Sequence, residues 1–298
     1  MHGTKFCILS VTFLFLISLS FCQKQPEPTV PVTSTAISAD GVSICYQVQR
    51  KGTPALVFIH GWCCNRSYWD LQVPYFSRKY KVVTIDLAGH GDSGLNRKDW
   101  TIAAFGEDVV AVVEKLGLDR VVLVGHSMGG SVILEAARRM PDKVIGLVGV
   151  DTFKNVENKY TQEQINGFMA PLHANFAETT SNFVRTMFIP NSDSALVGKI
   201  ARDMSSAPPE IGIGELLGNV NYQNNGLTQA LREVQVPIRC INSDMVPTNV
   251  EAAKKYAKSF EVNYMSDVGH FVMMEDPETF NRILEETVNE IVRANAMK

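Results

Sequence analysis

The sequence has no excess of basic residues, no internal repeat and no low-complexity tract. Its 28 lysines and arginines stand against 31 acidic residues, so the formal net charge is -3 and the pI is near 6.1. The charge pattern of a nucleic-acid-binding surface is therefore missing, and we expect no nucleic acid partner. A length of 298 residues without repeats suits one large domain or two small ones.

Cysteine is sparse, and its spacing excludes the usual cysteine-based sites. Cys63 and Cys64 are adjacent, which suits neither a C-x-x-C redox motif nor a zinc site. The six cysteines also form no disulfide framework. Cys45 and Cys240 fall in predicted strands and are expected in the core. We therefore expect neither a metal nor an organic cofactor.

The N-terminal segment has the pattern of a signal peptide over residues 1–22. One lysine precedes an apolar stretch, 6–21, that is too short to span a membrane comfortably. Residues 23–33 form a proline-rich extended spacer. Cleavage before Gln23 predicts an exported protein, periplasmic or secreted. The alternative is a lipobox ending at Cys22, which would be acylated and tether the domain to a membrane, although Phe21 is unfavourable there.

Short apolar runs and helical patterns alternate from residue 34 to residue 152. The runs of strand length lie at 34–37, 42–48, 55–59, 81–85, 120–124 and 143–150, and a helical pattern covers 101–116. Near-continuous apolar strands separated by helices indicate a mostly parallel sheet covered on both faces.

The strand signal disappears over residues 153–227, where helical stretches occur around 161–188, 192–204 and 210–222. Strand patterns return at 236–241 and 261–264, followed by a helix over 277–296. We therefore predict an α/β core, residues 34–152 and 228–298, interrupted by a helical cap, residues 153–227. Six large apolar cap residues are candidates for a substrate pocket, although packing on the core is the better explanation for most of them: Phe168, Met169, Phe176, Phe183, Met187 and Phe188.

A G-x-S-x-G motif, residues 125–129, lies between a predicted strand and a predicted helix. This order is the setting of a nucleophile elbow, in which a sharp turn holds a serine clear of the sheet. Gly125 and Gly129 remove side chains that would collide with such a turn. Ser127 is therefore the candidate nucleophile.

A serine nucleophile needs a histidine base. Of the six histidines, His270 lies in a loop after a short strand and before the last helix, which is the carboxyl edge of the predicted sheet. The others fall in the signal segment, beside other motifs or in the cap: His2, His60, His90, His126 and His173. We predict His270 as the base.

Two aspartates compete for the acid that orients this base. Asp244 ends a predicted strand and gives the chain order serine, aspartate, histidine that the nucleophile-elbow template uses. Asp151 also ends a strand at the same edge. Its alternative role there is to accept backbone hydrogen bonds as a helix or loop cap where the chain enters the helical insertion. We favour Asp244 and keep Asp151 as the alternative acid.

An oxyanion hole needs two N–H donors directed at the developing negative charge. The backbone of Met128, immediately after the nucleophile, is one candidate. The loop opened by His60 and Gly61 supplies the other through Trp62, because Gly61 permits close approach of the backbone.

Four segments together resemble α/β-hydrolase-fold enzymes of the carboxylesterase and lipase-like kind. They are Phe58-Ile-His-Gly-Trp62, residues 86–93, Gly125-His-Ser-Met-Gly-Gly130 and residues 269–277. The resemblance implies an eight-stranded, mostly parallel sheet flanked by helices, with a helical cap after the sixth strand. It also implies the roles given above to Ser127, Asp244, His270, Met128 and Trp62. The segment 242–247 lacks the glycine common before the family's acid, which keeps Asp151 open.

The predicted activity is cleavage of carboxylic esters through an acyl-enzyme, on a small and partly apolar substrate. Lactonase, carbon–carbon bond hydrolase and cofactor-free perhydrolase are alternatives on the same triad. Haloalkane dehalogenase and epoxide hydrolase are disfavoured, because such sites need a carboxylate where Ser127 stands. A non-catalytic ligand-binding or signalling module is the alternative from another class. The oligomeric state is not predicted.

Overall fold

The computed structural model describes Gly3, residues 31–50 and residues 52–296. Apart from Gly3, the predicted signal peptide lies outside the described residues, and so does the spacer up to residue 30. Within the described part of the chain, no helix combines the length and apolarity needed to cross a membrane.

An eight-stranded sheet forms the centre of the molecule, in the order β1-β2-β4-β3-β5-β6-β7-β8. Only the pairs that β2 makes with β1 and β4 are antiparallel, and the other neighbours are parallel. The predicted mostly parallel eight-stranded sheet is confirmed. The strands are β1 Val32–Ile37, β2 Ser43–Gln49, β3 Ala55–Ile59, β4 Lys81–Ile85, β5 Val121–His126, β6 Val144–Val150, β7 Ile238–Ser243 and β8 Phe260–Met265.

The central strands are hydrophobic along their whole length because both faces of the sheet are covered. Every residue of β3, β5, β6 and β7 is buried, whereas β8 at the edge of the sheet is buried only at its ends. Continuous β-branched runs are what a doubly covered parallel sheet requires. This is why the sequence located these strands well.

Helices flank the sheet and follow the strands in alternation. They are α1 Val73–Phe76, α2 Ile102–Lys115, α3 Met128–Arg139, α4 Gln162–Ala174, α5 Phe176–Arg185, α6 Ser194–Ser205, α7 Pro209–Asn225, α8 Leu227–Glu233, α9 Val250–Lys254, α10 Val272–Glu275 and α11 Pro277–Ala296. Helix α3 packs on β5 and β6, and α11 packs on β6, β7 and β8. A 3-10 turn, Arg66–Trp69, lies between β3 and α1.

Helices α4 to α8 are inserted between β6 and β7. The helical stretch predicted around 161–188 is two helices, because Asn175 ends α4 and caps α5 by accepting a hydrogen bond from the backbone N–H of Glu178. The insertion joins the main core through buried residues such as Leu172, Phe176 and Met204. The inserted helices end at Glu233, six residues beyond the predicted cap, residues 153–227, and from here on we use the name cap for α4–α8.

Candidate active site

Ser127 occupies a strained turn between β5 and α3. Its backbone has φ 53° and ψ -117°, a conformation that L-residues rarely adopt. Two hydrogen bonds hold the backbone of Ser127 in this turn. The Ser127 N–H donates to the carbonyl of Val150 at 2.9 Å, and the Ser127 carbonyl accepts from the Thr152 hydroxyl at 2.9 Å. The end of β6 therefore fixes the position of the serine.

The two motif glycines are required by close backbone approach. A Cβ at Gly125 would lie 2.3 Å from the carbonyl oxygen of Gly129, and one at Gly129 would lie 2.6 Å from that of His60. Neither contact is tolerable, so both positions exclude a side chain. The geometry is that of a nucleophile elbow, with Ser127 directly before the N-terminus of α3.

His270 is hydrogen-bonded to Asp151. Its Nδ1 lies 2.6 Å from Asp151 Oδ2, and both side chains are largely buried. A carboxylate only accepts hydrogen bonds, so Nδ1 carries the proton and Nε2 is left with a free lone pair. His270 and Ser127 line the same cavity. The imidazole is thus held in the tautomer that a general base requires.

The prediction of Asp244 as the acid is corrected, because the structure does not bring this residue to His270. Asp244 is exposed, and its Oδ2 accepts a hydrogen bond from the Ser266 hydroxyl at 2.5 Å. Ser243, one residue earlier, is the one that faces the site: its N–H donates to Asp151 Oδ1 at 2.8 Å. The chain turns outward after Ser243, so Asp244 points away from the base, and the alternative acid, Asp151, stands in the expected place.

Asp151 is anchored on both of its carboxylate oxygens. Oδ2 accepts from His270, while Oδ1 lies 2.7 Å from the Lys154 ammonium. Burial alone would raise the pKa of Asp151, but His270 and Lys154 outweigh burial, and the pKa lies below its ordinary value. Lys154 in turn donates to the carbonyls of Ser243 and Val246, at 2.8 and 3.0 Å. The carboxylate is therefore ionised and fixed in orientation.

His126 supports His270 from the other side. Its Nε2 donates to the backbone carbonyl of His270 at 3.0 Å, and the two ring centroids lie 4.7 Å apart. Burial, together with the neighbouring His270, lowers the pKa of His126 to about 3. It stays neutral near neutral pH and adds no charge beside the base.

The two predicted oxyanion donors lie beside Ser127. Met128 is the first residue of α3, and the first N–H groups of a helix have no partner inside it. Trp62 and Met128 line the cavity that contains Ser127. The loop of Trp62 is close to the nucleophile, since a Cβ on Gly61 would lie 3.1 Å from Ser127 Cβ. Both residues therefore lie near the serine.

A buried carboxylate from the cap fixes this oxyanion loop. Glu215 in α7 is fully buried, and its Oε1 accepts hydrogen bonds from the N–H of Cys63 at 3.0 Å and from its thiol at 3.3 Å. Cys63 has φ 51°, so its backbone is held in an unfavourable conformation one residue after Trp62. The indole Nε1 of Trp62 also donates to Gly212 of α7 at 2.7 Å.

The second oxygen of Glu215 pairs with His90. Its Oε2 lies 3.0 Å from His90 Nε2, and both side chains are almost fully buried. Burial by itself would lower the pKa of His90, but Glu215 outweighs burial and raises it above 6.5. The ring centroid of His60 lies 4.8 Å from that of His90. Burial, together with His90, keeps the pKa of His60 well below the usual value. Glu215 therefore ties α7 to two loops of the core.

The cysteines that the structure describes are buried free thiols: Cys45, Cys63, Cys64 and Cys240. Burial and the nearby Glu215 raise the pKa of Cys63 well above the usual range, so it is not a thiolate nucleophile. Among the described residues, Cys45, Asp86 and Asp92 bring potential metal ligands together, but the Arg66 guanidinium already pairs with both carboxylates.

Sequence reasoning missed three residues at the site. They are Lys154 beside Asp151, Glu215 behind the oxyanion loop, and Asn219, which lines the cavity that contains Ser127. Lys154 had a weak signal, since it follows Asp151 by three residues. Glu215 is 152 residues from Cys63 in sequence, and nothing in the sequence of α7 points to that contact.

The family model for the alpha/beta hydrolase fold matches residues 54–277 of the 298. The chain belongs to the alpha/beta hydrolase fold family. The match extends from β3 to the start of α11, so the elbow, Asp151, the cap and His270 all fall within the family's shared region.

Two curated proteins are similar to this chain at about a quarter identity. One is the dihydrolipoyllysine-residue acetyltransferase component of the acetoin cleaving system of Cupriavidus necator, 26% identical over 261 residues, covering 83% of this chain and 66% of that protein. The chain thus spans just under two thirds of that relative. The other is the karrikin insensitive 2 receptor CA of Petunia hybrida, 25% identical over 253 residues, covering 80% of this chain and 93% of the receptor.

Among solved structures, the hydrolase-fold chain is similar to Est816, described as an N-acyl homoserine lactone degrading enzyme. The TM-score is 0.74 at 24% identity, and the superposition covers 85% of this chain and 99% of Est816. At this identity the likeness shows the fold, and the chemistry has to be argued from the site.

Proposed function

We propose that this protein is a serine hydrolase that cleaves carboxylic esters through an acyl-enzyme, with Ser127, His270 and Asp151 as its triad. The observation that carries the proposal is the 2.6 Å hydrogen bond from His270 Nδ1 to Asp151. In the neutral imidazole this bond assigns the proton to Nδ1, and His270 lines the cavity that also contains the strained Ser127. A binding module would need neither a fixed tautomer nor a strained serine that lines the same cavity as the histidine.

In the first half of the reaction, His270 Nε2 takes the hydroxyl proton as Ser127 Oγ attacks the ester carbonyl carbon. The negative charge that develops on the carbonyl oxygen is stabilised by the N–H groups of Trp62 and Met128. Ionised Asp151 stabilises the imidazolium. His270 then gives its proton to the departing alcohol oxygen, the carbon–oxygen bond breaks, and the acyl group remains on Ser127.

In the second half, His270 removes a proton from a water molecule, and the resulting hydroxide attacks the acyl carbonyl carbon. The same two N–H groups stabilise the second oxyanion. His270 returns the proton to Ser127 Oγ as the acyl–serine bond breaks, which releases the carboxylic acid. No cofactor takes part in this sequence.

The direct test is hydrolysis of p-nitrophenyl acetate and butyrate by wild type and Ser127→Ala. We expect wild-type turnover and a loss of about three orders of magnitude or more in kcat for the variant. A fluorophosphonate probe should also attach to Ser127 in wild type, as read by intact mass. Ser194→Ala is the matched control, because Ser194 is exposed at the start of α6 and lines none of the cavities around Ser127. Unchanged activity in Ser127→Ala would reject the proposal.

The alternatives on the same triad are separated by a panel of open-chain esters, lactones, 1,3-diketones, and acetate supplied with hydrogen peroxide. A lactone is a cyclic ester, so a lactonase would use the same steps and would turn over lactones faster than open esters. Carbon–carbon bond hydrolysis and perhydrolysis have their own substrates in the panel. A wild type that binds a ligand without hydrolysing any of them would favour a receptor-like module.

A further inference from the structure

Ser127 lies where cavities of opposite character meet. The catalytic cavity, about 220 Å³, contains Ser127 and His270. It shares Trp62, Phe183 and Leu216 with a second cavity of about 390 Å³ inside the cap, which we name the cap cavity. It shares Ser127 and Met128 with a third cavity of about 410 Å³, which we name the polar cavity. The cap cavity and the polar cavity adjoin each other at Tyr160, Asn219 and Gln223, so an ester at Ser127 has a different space available for each of its two arms.

The cap cavity is lined mainly by apolar and aromatic side chains. Three of the cap residues that the sequence singled out, Phe168, Met169 and Phe183, line its wall. Phe183 also contacts the Trp62 ring, at 6.2 Å between centroids, on the way to the catalytic cavity. A space of this size and character suits a hydrocarbon chain.

The polar cavity has many hydrogen-bonding groups and little net charge. Its charged pair, Asp151 and Lys154, is mutually neutralised at 2.7 Å. Its other polar lining residues are uncharged: Ser127, Ser131, Thr152, Asn155, Asn158, Tyr160, Asn219 and Gln223. Exposed lining residues such as Asn155 and Pro247 open it to solvent. This space suits an uncharged, hydroxyl-bearing group rather than an anion or a hydrocarbon.

Asn219 on α7 is common to all three cavities. It is half-buried, and within residues 31–50 and 52–296 its carboxamide has no recorded hydrogen-bond partner. Its neighbour one turn on, Gln223, differs because its amide donates to the carbonyls of Asn155 and Asn158. Asn219 is therefore a donor and acceptor that the protein leaves available at the branch point.

From this arrangement we infer that the substrate is an ester with a hydrocarbon acyl chain in the cap cavity and an uncharged, hydroxyl-bearing alcohol in the polar cavity, contacted by Asn219. The inference rests on the proposed ester hydrolysis. The orientation follows from the reaction: the alcohol leaves first, and the polar cavity opens to water, whereas the acyl chain stays attached to Ser127 inside the cap.

The test compares two esters that differ only in hydroxyl groups, 1-monooctanoylglycerol and propyl octanoate, below their micellar concentrations. We expect kcat/KM for the glycerol ester to exceed that for the propyl ester by at least about tenfold, since a site with available hydrogen-bonding groups discriminates against the analogue that lacks them. Equal values, or a preference for the propyl ester, would overturn the inference.

Asn219→Leu should remove this discrimination. We expect the ratio of the two kcat/KM values to fall to within about threefold of one, because the glycerol ester loses a hydrogen-bonding partner that the propyl ester does not use. Asn221→Leu is the matched control, because Asn221 lies on the same helix but is exposed and lines none of the three cavities. If Asn219→Leu kept the wild-type ratio, Asn219 would not be the contact.

The acyl arm is tested by filling the cap cavity at Gly167. This glycine lines the cavity at an exposed position of α4, and a Cβ placed on it meets no atom within 4 Å, so a larger side chain can be introduced at the cavity wall without a clash at its Cβ. We expect Gly167→Phe to lower kcat/KM for p-nitrophenyl octanoate by about tenfold or more relative to its effect on p-nitrophenyl acetate, whose acyl group is too short to reach the cap cavity. Gly167→Ala controls for the effect of removing glycine from α4. An equal effect on both chain lengths would contradict the acyl assignment.

The failure of this inference is distinguishable from the failure of the proposed function. A wild type that hydrolyses p-nitrophenyl butyrate through Ser127 but shows no preference for the glycerol ester overturns only the substrate class. A wild type that hydrolyses no ester overturns both.

Discussion

At the scale of single residues, Asp151 performs two tasks with its two carboxylate oxygens. One oxygen holds the His270 imidazole, and the other is fixed by Lys154 and by the N–H of Ser243. An acid held on both sides keeps one orientation and remains ionised while the imidazolium forms.

Asp151→Asn should therefore lower kcat for p-nitrophenyl butyrate by about three to four orders of magnitude, because an amide favours the wrong tautomer of His270. Asp244→Asn, the matched control one strand away, should leave kcat within about twofold of wild type, since Asp244 bonds only to Ser266. The reverse result would restore Asp244 as the acid.

Lys154→Met should lower kcat by about tenfold with little change in KM, because it removes a charged hydrogen-bond partner of Asp151 without touching the nucleophile. Lys154→Arg should recover part of the loss. Steady-state kinetics on the three proteins checks this, and a purely structural role for Lys154 would instead appear as lost thermal stability with normal kcat.

The sequence could place both aspartates at the carboxyl edge of the sheet but could not choose between them. The choice depends on the backbone after each strand: Asp151 follows β6 with φ 43°, whereas Asn242 and Ser243 take the inward positions at the end of β7. Side-chain direction at a strand end depends on such local turns, which no pattern of hydrophobicity encodes. The missing glycine in segment 242–247 was the one available warning.

At the scale of elements, helix α7 connects the cap to the oxyanion loop by hydrogen bonds. It contributes Glu215 to Cys63 and His90, the Gly212 carbonyl to Trp62, and Asn219 to the cavities. Periodicity predicted a helix over 210–222, and α7 covers Pro209–Asn225. Its contacts with the core were not predictable, because a helix pattern does not identify the partner of a buried polar residue.

Glu215→Gln should destabilise the protein by about 3 kcal/mol at pH 6, because it leaves buried His90 without its counter-charge. The pKa of His90 is raised in the folded state, so this stabilisation is complete below about pH 6.5 and is lost as the pH rises through the folded-state value. The difference from wild type should therefore shrink between pH 6.5 and pH 9.

Urea unfolding of both proteins at several pH values measures this difference, and groups that titrate in the same way in both proteins cancel. Other groups near His90 are His60, Asp86 and Phe105, and all of them are unchanged in the variant. Glu210→Gln, at an exposed position of α7, is the control and should change little. A difference that stays constant from pH 6 to pH 9 would contradict the ion pair.

At the scale of the whole molecule, the core strands were predictable because strands that are buried at every residue have nearly uninterrupted hydrophobic sequences. The predicted limits at 55–59 and 81–85 are those of β3 and β4. The short helices α1, α9 and α10 were not predicted, since four or five residues give too little periodicity to recognise.

Export remains a prediction from the first 22 residues. Expression of the full chain in an exporting bacterial host should give a mature protein that begins at Gln23, as measured by intact mass. A mass that includes Cys22 and added acyl chains would instead establish lipid anchoring, and Cys22→Ser should then abolish that increment. Retention of the entire chain in the cytoplasm would contradict both forms of export.

The cap enters the chain as one uninterrupted segment between β6 and β7, while the serine and the aspartate precede it and the histidine follows it. Most of the side chains that line the cap cavity therefore come from a different stretch of the chain than the proposed triad. A recombination event, or a designer, could exchange the segment from α4 to α8 as a single cassette and retarget the catalyst. Such a graft would succeed only if the donor cassette also supplied a carboxylate for Cys63 and His90, because these two core residues depend on it.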